Sequence, residues 1–189
     1  MRVRLNRAEE WEFKAIPMKL EARCQSIELI LSDVDGVLTD GGLIFDDQGI
    51  ELKRFHVRDG MGIKLWQQAG YKLGLVTSRT SHIVKVRAAE LGVEIVRQGF
   101  SEKLPVVHEI VDALGLTVDQ VAFIGDDLSD LAAINAVGLG IAVADAADEI
   151  RAAADHTTQL EGGQGAVREV VEMILKSQKR WEDLVRKYE

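Results

Sequence analysis

SDVDGVLTDGG, residues 32–42, follows directly on the apolar run IELIL at 27–31. The run has the length of a strand buried on both faces, and Asp33 and Asp35 stand two residues apart at its end. Like charges this close repel, and their pKa values separate unless a cation or a proton lies between them. Either this strand end frays into solvent or it binds something positive.

The segments downstream bear on the choice. KLGLVT (72–77), VEIV (93–96), VAFIG (121–125) and LGIAVA (139–144) are short and apolar or β-branched. MGIKLWQQAG, SHIVKVRAAELG, EKLPVVHEIVDALG and LSDLAAINAVG lie between them with helical patterning, and several end on a glycine before the next strand. This alternation predicts an α/β fold, a doubly wound and mostly parallel sheet of Rossmann-like type. GGLIFDDQGIELKRFH (41–56) breaks the rhythm: two strand-like runs flank Asp46-Asp47-Gln48-Gly49, predicting a small β-hairpin inserted after the first strand.

Three segments are expected: an N-terminal extension over 1–26 with a short packing helix near Leu20, the main domain over 27–176, and a helical tail over 177–189. Val167, Val170, Val171, Ile174 and Leu175 recur at helical spacing, and Trp181, Leu184, Val185 and Tyr188 continue the stripe. The tail either packs on its own domain or reaches a neighbouring subunit. Trp66 falls in an apolar helical pattern and is expected in the core.

Bulk properties exclude several functions. The 189 residues carry a net charge of -8, and 47% are hydrophobic. This describes a globular protein without the basic face that nonspecific nucleic-acid binding needs. Cys24 is the only cysteine, which rules out an intramolecular disulfide or a cysteine-rich metal site. The four histidines, at 56, 82, 108 and 156, lack metal-ligand spacing. No apolar stretch has signal-peptide or membrane-spanning length, so a cytoplasmic location without membrane contact is expected.

In open α/β sheets, ligands bind beyond the carboxyl ends of the strands. Asp33, Asp35 and Gly36 follow the first strand, and Thr77, Ser78 and Arg79 follow the second. Lys103 opens the helix after the third, and Asp126, Asp127 and Asp130 follow the fourth. One aspartate pair would be weak evidence, since turns use Asp for capping. Two acidic clusters with a hydroxyl and a lysine fit phosphoryl transfer. Mg²⁺ takes oxygen ligands, which Asp33, Asp126 and a backbone carbonyl near Asp35 can supply. One carboxylate attacks phosphorus to give an aspartyl phosphate, and the other passes a proton to the leaving oxygen and later activates water. Thr77 and Lys103 balance the nonbridging oxygens, while Gly36 admits the phosphate to the backbone.

DVDGVLTD, the strand ending in Thr77, Lys103 and GDDLSD together resemble, in order and spacing, the four motifs of the haloacid dehalogenase superfamily. The resemblance covers residues 27 to about 175. It implies Mg²⁺ as cofactor, Asp33 as nucleophile and Asp35 as acid/base. Asp33, Asp35 and Asp126 would hold the metal, with Asp127 and Asp130 acting through water or hydrogen bonds. The intervals between motifs leave no room for a cap domain, so neighbouring subunits would have to wall the site.

Within the superfamily, DVDGVLTDGG, KRFHVRDGMGIKL, TSRTS, RAAELG and GGQGAVREVVEMIL are similar to the family of 3-deoxy-D-manno-octulosonate 8-phosphate phosphatases, tetrameric enzymes of lipopolysaccharide synthesis. The similarity implies that His56, Val57, Arg58, Asp59, Gly60, Lys64, Ser78, Arg79 and Arg87 contact a sugar acid, together with Asp35 and Lys103. Arginine forks suit both its phosphate and its carboxylate. Ser78 departs from the family, which has glycine there. Gly162, Gly163 and Gly165 serve either as a turn into the last helix or in closing the site. The alternatives are a phosphatase for a nine-carbon ulosonate 9-phosphate, a noncatalytic oligomerisation module, and a phospho-switch receiver domain. The receiver expects its phosphoacceptor on a middle strand, whereas here DxD opens the sheet.

Overall fold

The computed structural model describes residues 20–188; most of the expected N-terminal extension lies outside them. α1 (Leu20–Ser26) leads into β1 (Leu29–Ser32), and the antiparallel hairpin β2 (Ile44–Phe45) and β3 (Glu51–Leu52) follows. The chain continues through α2 (Val57–Gln68), β4 (Lys72–Thr77), α3 (His82–Leu91), β5 (Ile95–Gln98), α4 (Lys103–Leu114) and β6 (Val121–Gly125). A 3-10 turn (Leu128–Asp130) opens α5 (Leu131–Ala136), and β7 (Leu139–Ala142), α6 (Asp148–Ala153), β8 (His156–Thr157), α7 (Ala166–Ser177) and α8 (Trp181–Val185) complete the fold.

The six-stranded sheet has the order β5-β4-β1-β6-β7-β8, and every pairing is parallel. β1 is central, with Leu29 opposite both Lys72 and Val121. Strand order reverses at β1, which makes the carboxyl ends of β1, β4 and β6 the crevice where such sheets bind ligands. All four residues of β1 and all five of β6 are buried, as expected of strands covered on both faces. α2 packs along α7, and α7 also meets α1, while α4, α5 and α6 adjoin one another in a second group. Trp66 is wholly buried, with its indole N–H donating to the Lys72 carbonyl.

Local chemistry moves some boundaries from their expected places. VEIV forms a strand only from Ile95, because the Val93 amide bonds back to the Ala88 carbonyl as α3 unwinds at Gly92. α2 begins four residues before MGIKLWQQ. His56 caps it, Nδ1 accepting from the Arg58 amide, so the VRDG segment forms the first turn of the helix. Neither α6 nor β8 was expected. α7 buries Val167, Val170, Val171, Ile174 and Leu175, the predicted stripe.

In the tail, Leu184 is buried, and the Trp181 ring lies 5.0 Å from the Arg168 guanidinium on α7 and 5.3 Å from the Lys176 ammonium. Residues 181–185 therefore fold back on their own domain. α1 does likewise: Gln178 donates to the carbonyls of Cys24 and Ile27, joining both ends of the described chain.

Candidate active site

β1 delivers Asp33, and its register with β6 brings Asp126 beside it. Asp33, Asp126 and Asp130 each offer a carboxylate oxygen to a group whose atoms lie within 4.8 Å of one another. Lys103, at the start of α4, reaches into the group with its side chain wholly out of solvent. Its Nζ lies 2.5 Å from Asp130 Oδ1 and 3.0 Å from Asp33 Oδ1. A lysine buried this deeply is stable as an ion only when paired, since the desolvation penalty is several kcal/mol. Burial opposes its charge, yet Asp33 and Asp130 outweigh burial and hold its pKa above the usual value.

The carboxylates are not balanced in turn. Three of them face one ammonium, an excess of two negative charges. Burial, followed by repulsion from Asp130, raises Asp33 to about 6 despite Lys103. Burial and repulsion from Asp33 and Asp130 raise Asp126 to about 8. Among the described residues, Asp126 Oδ1 is buried with no hydrogen-bond donor. An oxygen cluster with two uncompensated negative charges when ionised, and an unpaired carboxylate oxygen, fits a hard divalent cation. Asp130 is already engaged on both sides: Oδ1 meets Lys103, and Oδ2 accepts from the Asp126 amide at 3.0 Å. It acts as a strut that fixes the lysine and the Asp126 backbone. Asp127 faces solvent and caps the 3-10 turn, accepting from the Leu128 amide.

The loop after β1 is fitted closely to this group. Gly36 has φ +92°, and a Cβ there would come 2.0 Å from Asp126 Oδ2. The absent side chain is therefore what lets the Asp126 carboxylate lie against the loop. Gly162 presses on the same loop from the C-terminal side, where a Cβ would meet the Gly36 carbonyl oxygen at 1.8 Å. The Gly163 amide donates to the Val37 carbonyl, and Asp145 accepts from the Gly162 amide. The EGGQG segment is thus more than a turn into α7, because it buttresses the acidic loop.

Asp35 takes a different direction from Asp33. Its carboxylate stands outside the acidic group and accepts from Lys53, a hairpin residue that sequence reasoning passed over. Glu51 and Arg79 complete this second cluster, with Arg79 Nη2 at 3.2 Å from Glu51 and its Nε 3.8 Å from Asp35 Oδ2. Thr77 is buried at the end of β4, and its hydroxyl oxygen accepts from the Arg79 amide at 3.4 Å.

The remaining expected residues spread along the rim. Val57, Arg58, Lys64 and Ser78 are exposed. His56 and Asp59 serve the fold locally. His56 caps α2, and Asp59 Oδ1 accepts from the Arg168 amide at 2.8 Å, tying α2 to α7. Arg87 lies over the Phe55 ring at 5.7 Å and pairs with Glu90. A Cβ on Gly60 would meet Arg87 Nη2 at 2.5 Å, so that glycine makes room for the guanidinium. Arg58 lines an open cavity of about 580 Å³ with Gln159, Leu160, Gly165, Arg168 and Glu172. The strand-end floor is thus assembled within one chain, whereas the arginines do not converge on it.

A parallel α/β sheet with DxD after its first strand, a buried lysine and an acidic GDDLSD turn defines a haloacid dehalogenase-like hydrolase. The sequence pattern of that family matches residues 86–170. The chain is 41% identical over 159 residues to the 3-deoxy-D-manno-octulosonate 8-phosphate phosphatase of Haemophilus influenzae, covering 84% of this chain and 88% of that protein. It is 42% identical to the Yersinia pestis enzyme of the same name over 85% of this chain and 86% of the relative. The Moraxella catarrhalis phosphatase, solved in complex with magnesium ion, phosphate ion and KDO, superposes with a TM-score of 0.88 at 39% identity, covering 89% of this chain and 97% of that one. The chain belongs to the family of 3-deoxy-D-manno-octulosonate 8-phosphate phosphatases.

Proposed function

We propose that this protein is a Mg²⁺-dependent phosphatase that hydrolyses 3-deoxy-D-manno-octulosonate 8-phosphate to the free sugar acid and phosphate, a step of lipopolysaccharide synthesis. What carries the reading is that identity of about 40% with phosphatases of that name spans nearly the whole chain, buried acidic floor included. Asp33 is the nucleophile: its carboxylate forms a bond to phosphorus as the bond to the sugar oxygen breaks. Asp35 gives that oxygen a proton, then takes one from the water that attacks the aspartyl phosphate. Lys103 and Thr77 bind the nonbridging oxygens. Asp33, Asp126 and the Asp35 carbonyl would hold the metal, which supplies positive charge to the phosphoryl group. Arg58, Arg79 and Arg87, with His56, Gly60, Lys64 and Ser78, bind the sugar acid.

The protein works as a cytoplasmic homotetramer, with neighbouring subunits closing the rim. Support for assembly comes from the hairpin region, where Leu43, Ile44, Phe45, Ile50 and Leu52 are all exposed, an apolar group that calls for a partner. Among the described residues no helix is long and apolar enough to cross a membrane.

Phosphate release with Mg²⁺ from the eight-carbon acid, nine-carbon ulosonate 9-phosphates and hexose phosphates tests the reading. The eight-carbon acid should be strongly preferred, and Asp33→Asn should remove turnover of every substrate. Preference for a nine-carbon acid would retain the chemistry and replace the substrate; no turnover of any would overturn both.

A further inference from the structure

Hairpins on a protein surface usually turn apolar residues inward and charged ones to solvent. Around β3 the order is reversed. Ile50 and Leu52 are 56% and 53% exposed, whereas the side chains of Glu51 and Lys53 are only 17% and 1% exposed. Side chains alternate faces along a strand, so Glu51 and Lys53 share the face turned toward the loop after β1. There Lys53 donates to Asp35 Oδ1 and lies 3.2 Å from Glu51. Among the described residues the other Asp35 oxygen is buried without a hydrogen-bond donor, with Arg79 Nε 3.8 Å away. Lysine is seldom buried without a partner, and here one of its two partners is the residue assigned to proton transfer.

We propose that Lys53 is a positioning residue for Asp35, holding the carboxylate away from the acidic floor and on the side where the sugar oxygen must leave. The proposal rests on the phosphatase reading and deepens it. Asp33 and Asp35 leave the same strand end, and without a tether Asp35 could swing toward the cation-binding group and be lost to proton transfer. Lys53 sets its direction, and Glu51, held also by Arg79 Nη2 at 3.2 Å, fixes Lys53 in turn. The hairpin thereby becomes part of the catalytic apparatus as well as an apolar surface.

Leaving-group chemistry separates this role from a merely structural one. An alkyl phosphate expels an alkoxide that must be protonated as the P–O bond breaks, whereas p-nitrophenyl phosphate expels a stable phenolate that needs no acid. Positioned general acids contribute roughly 100-fold or more. Because kcat/KM reports events only through expulsion of the leaving group, Lys53→Met should lower kcat/KM on the sugar-acid phosphate by roughly 100-fold and kcat/KM on p-nitrophenyl phosphate by less than about 3-fold. Lys53→Arg should recover most of the loss, and adding Lys53→Met to Asp35→Asn should cost little more. Equal losses on both substrates, or none on either, would overturn the proposal. Should Lys53→Met not fold, the contrast is read on Lys53→Gln and Lys53→Arg, with melting curves confirming an intact fold. The comparison uses whichever alkyl phosphate the wild-type enzyme turns over, so a wrong substrate assignment and a wrong role for Lys53 give different results.

Discussion

Lys103 and Arg58 are both cations assigned to the same phosphorylated substrate, yet they sit in opposite surroundings. The Lys103 side chain has no solvent exposure and lies between Asp33 and Asp130. Arg58 is exposed on the first turn of α2 and makes no ion pair among the described residues. The contrast extends to everything around them. The floor under Lys103 is fixed by strand register, by the Asp130 strut and by two glycines packed without spare room. The cavity that Arg58 lines is open, and the hairpin shows an apolar surface to solvent. On the proposed function, the residues for phosphoryl transfer all come from one chain, while recognition of the sugar acid would be left to surfaces that a second copy could cover.

The largest effect should come from filling the floor. In Gly36→Ala the new methyl would collide with the Asp126 carboxylate 2.0 Å away and would also have to adopt φ +92°. Turnover should fall by roughly 100-fold or more, since small displacements of a catalytic group have effects of that order. Mg²⁺-induced thermal stabilisation should shrink with it. Retained turnover would mean that the floor is less tightly packed than its geometry indicates.

A smaller effect concerns charge. Asp33 at about 6 and Asp126 at about 8 both lie above the ordinary value of 3.8. A raised folded-state pKa means that the fold favours the neutral acid. The contribution is full below about pH 4, and it is lost as pH rises through about 6 and about 8. Metal-free protein should therefore melt several degrees lower at pH 9 than at pH 5, and Mg²⁺ should narrow the gap. Asp126→Asn should flatten the slope in the absence of metal. An unchanged slope in that variant would show that the floor is not where the charge excess resides.

The rim supplies the mildest test. Phe45→Lys should leave the floor intact, reduce the sedimenting mass below that of a tetramer, and raise KM for the sugar-acid phosphate roughly tenfold. Hydrolysis of p-nitrophenyl phosphate should change by less than about threefold, because Phe45 is exposed on the hairpin, outside the acidic floor. Equal effects on both substrates would erase the division between floor and rim.

The floor was legible in the sequence because Asp33, Thr77 and Asp126 end or follow strands with plain apolar runs, and Lys103 opens the helix after a strand whose bounds alone were misplaced. Asp33, Thr77, Lys103 and Asp126 are placed by the strand-end rule before any geometry is known. Lys53 was not legible. It stands beside Arg54 in a charged run that reads as an ordinary solvated surface, and only the reversed burial of the hairpin reveals where it points. The start of α2 was missed for a related reason: His56 is an unusual N-cap, and nothing in VRDG announces that Asp59 will be buried against the Arg168 amide. The packing of Gly162 on Gly36 joins segments more than a hundred residues apart. Local pattern carries no record of such a contact.

On the proposed mechanism, Asp33 in this floor becomes covalently phosphorylated. Borohydride reduces an acyl phosphate to the alcohol, so trapping during turnover would convert the modified aspartate to homoserine, readable by peptide mass spectrometry. Reduction at Asp33, dependent on both Mg²⁺ and the sugar-acid phosphate and absent from Asp33→Asn, is the predicted result. Reduction at Asp35 instead, or full turnover persisting in Asp33→Asn, would contradict it.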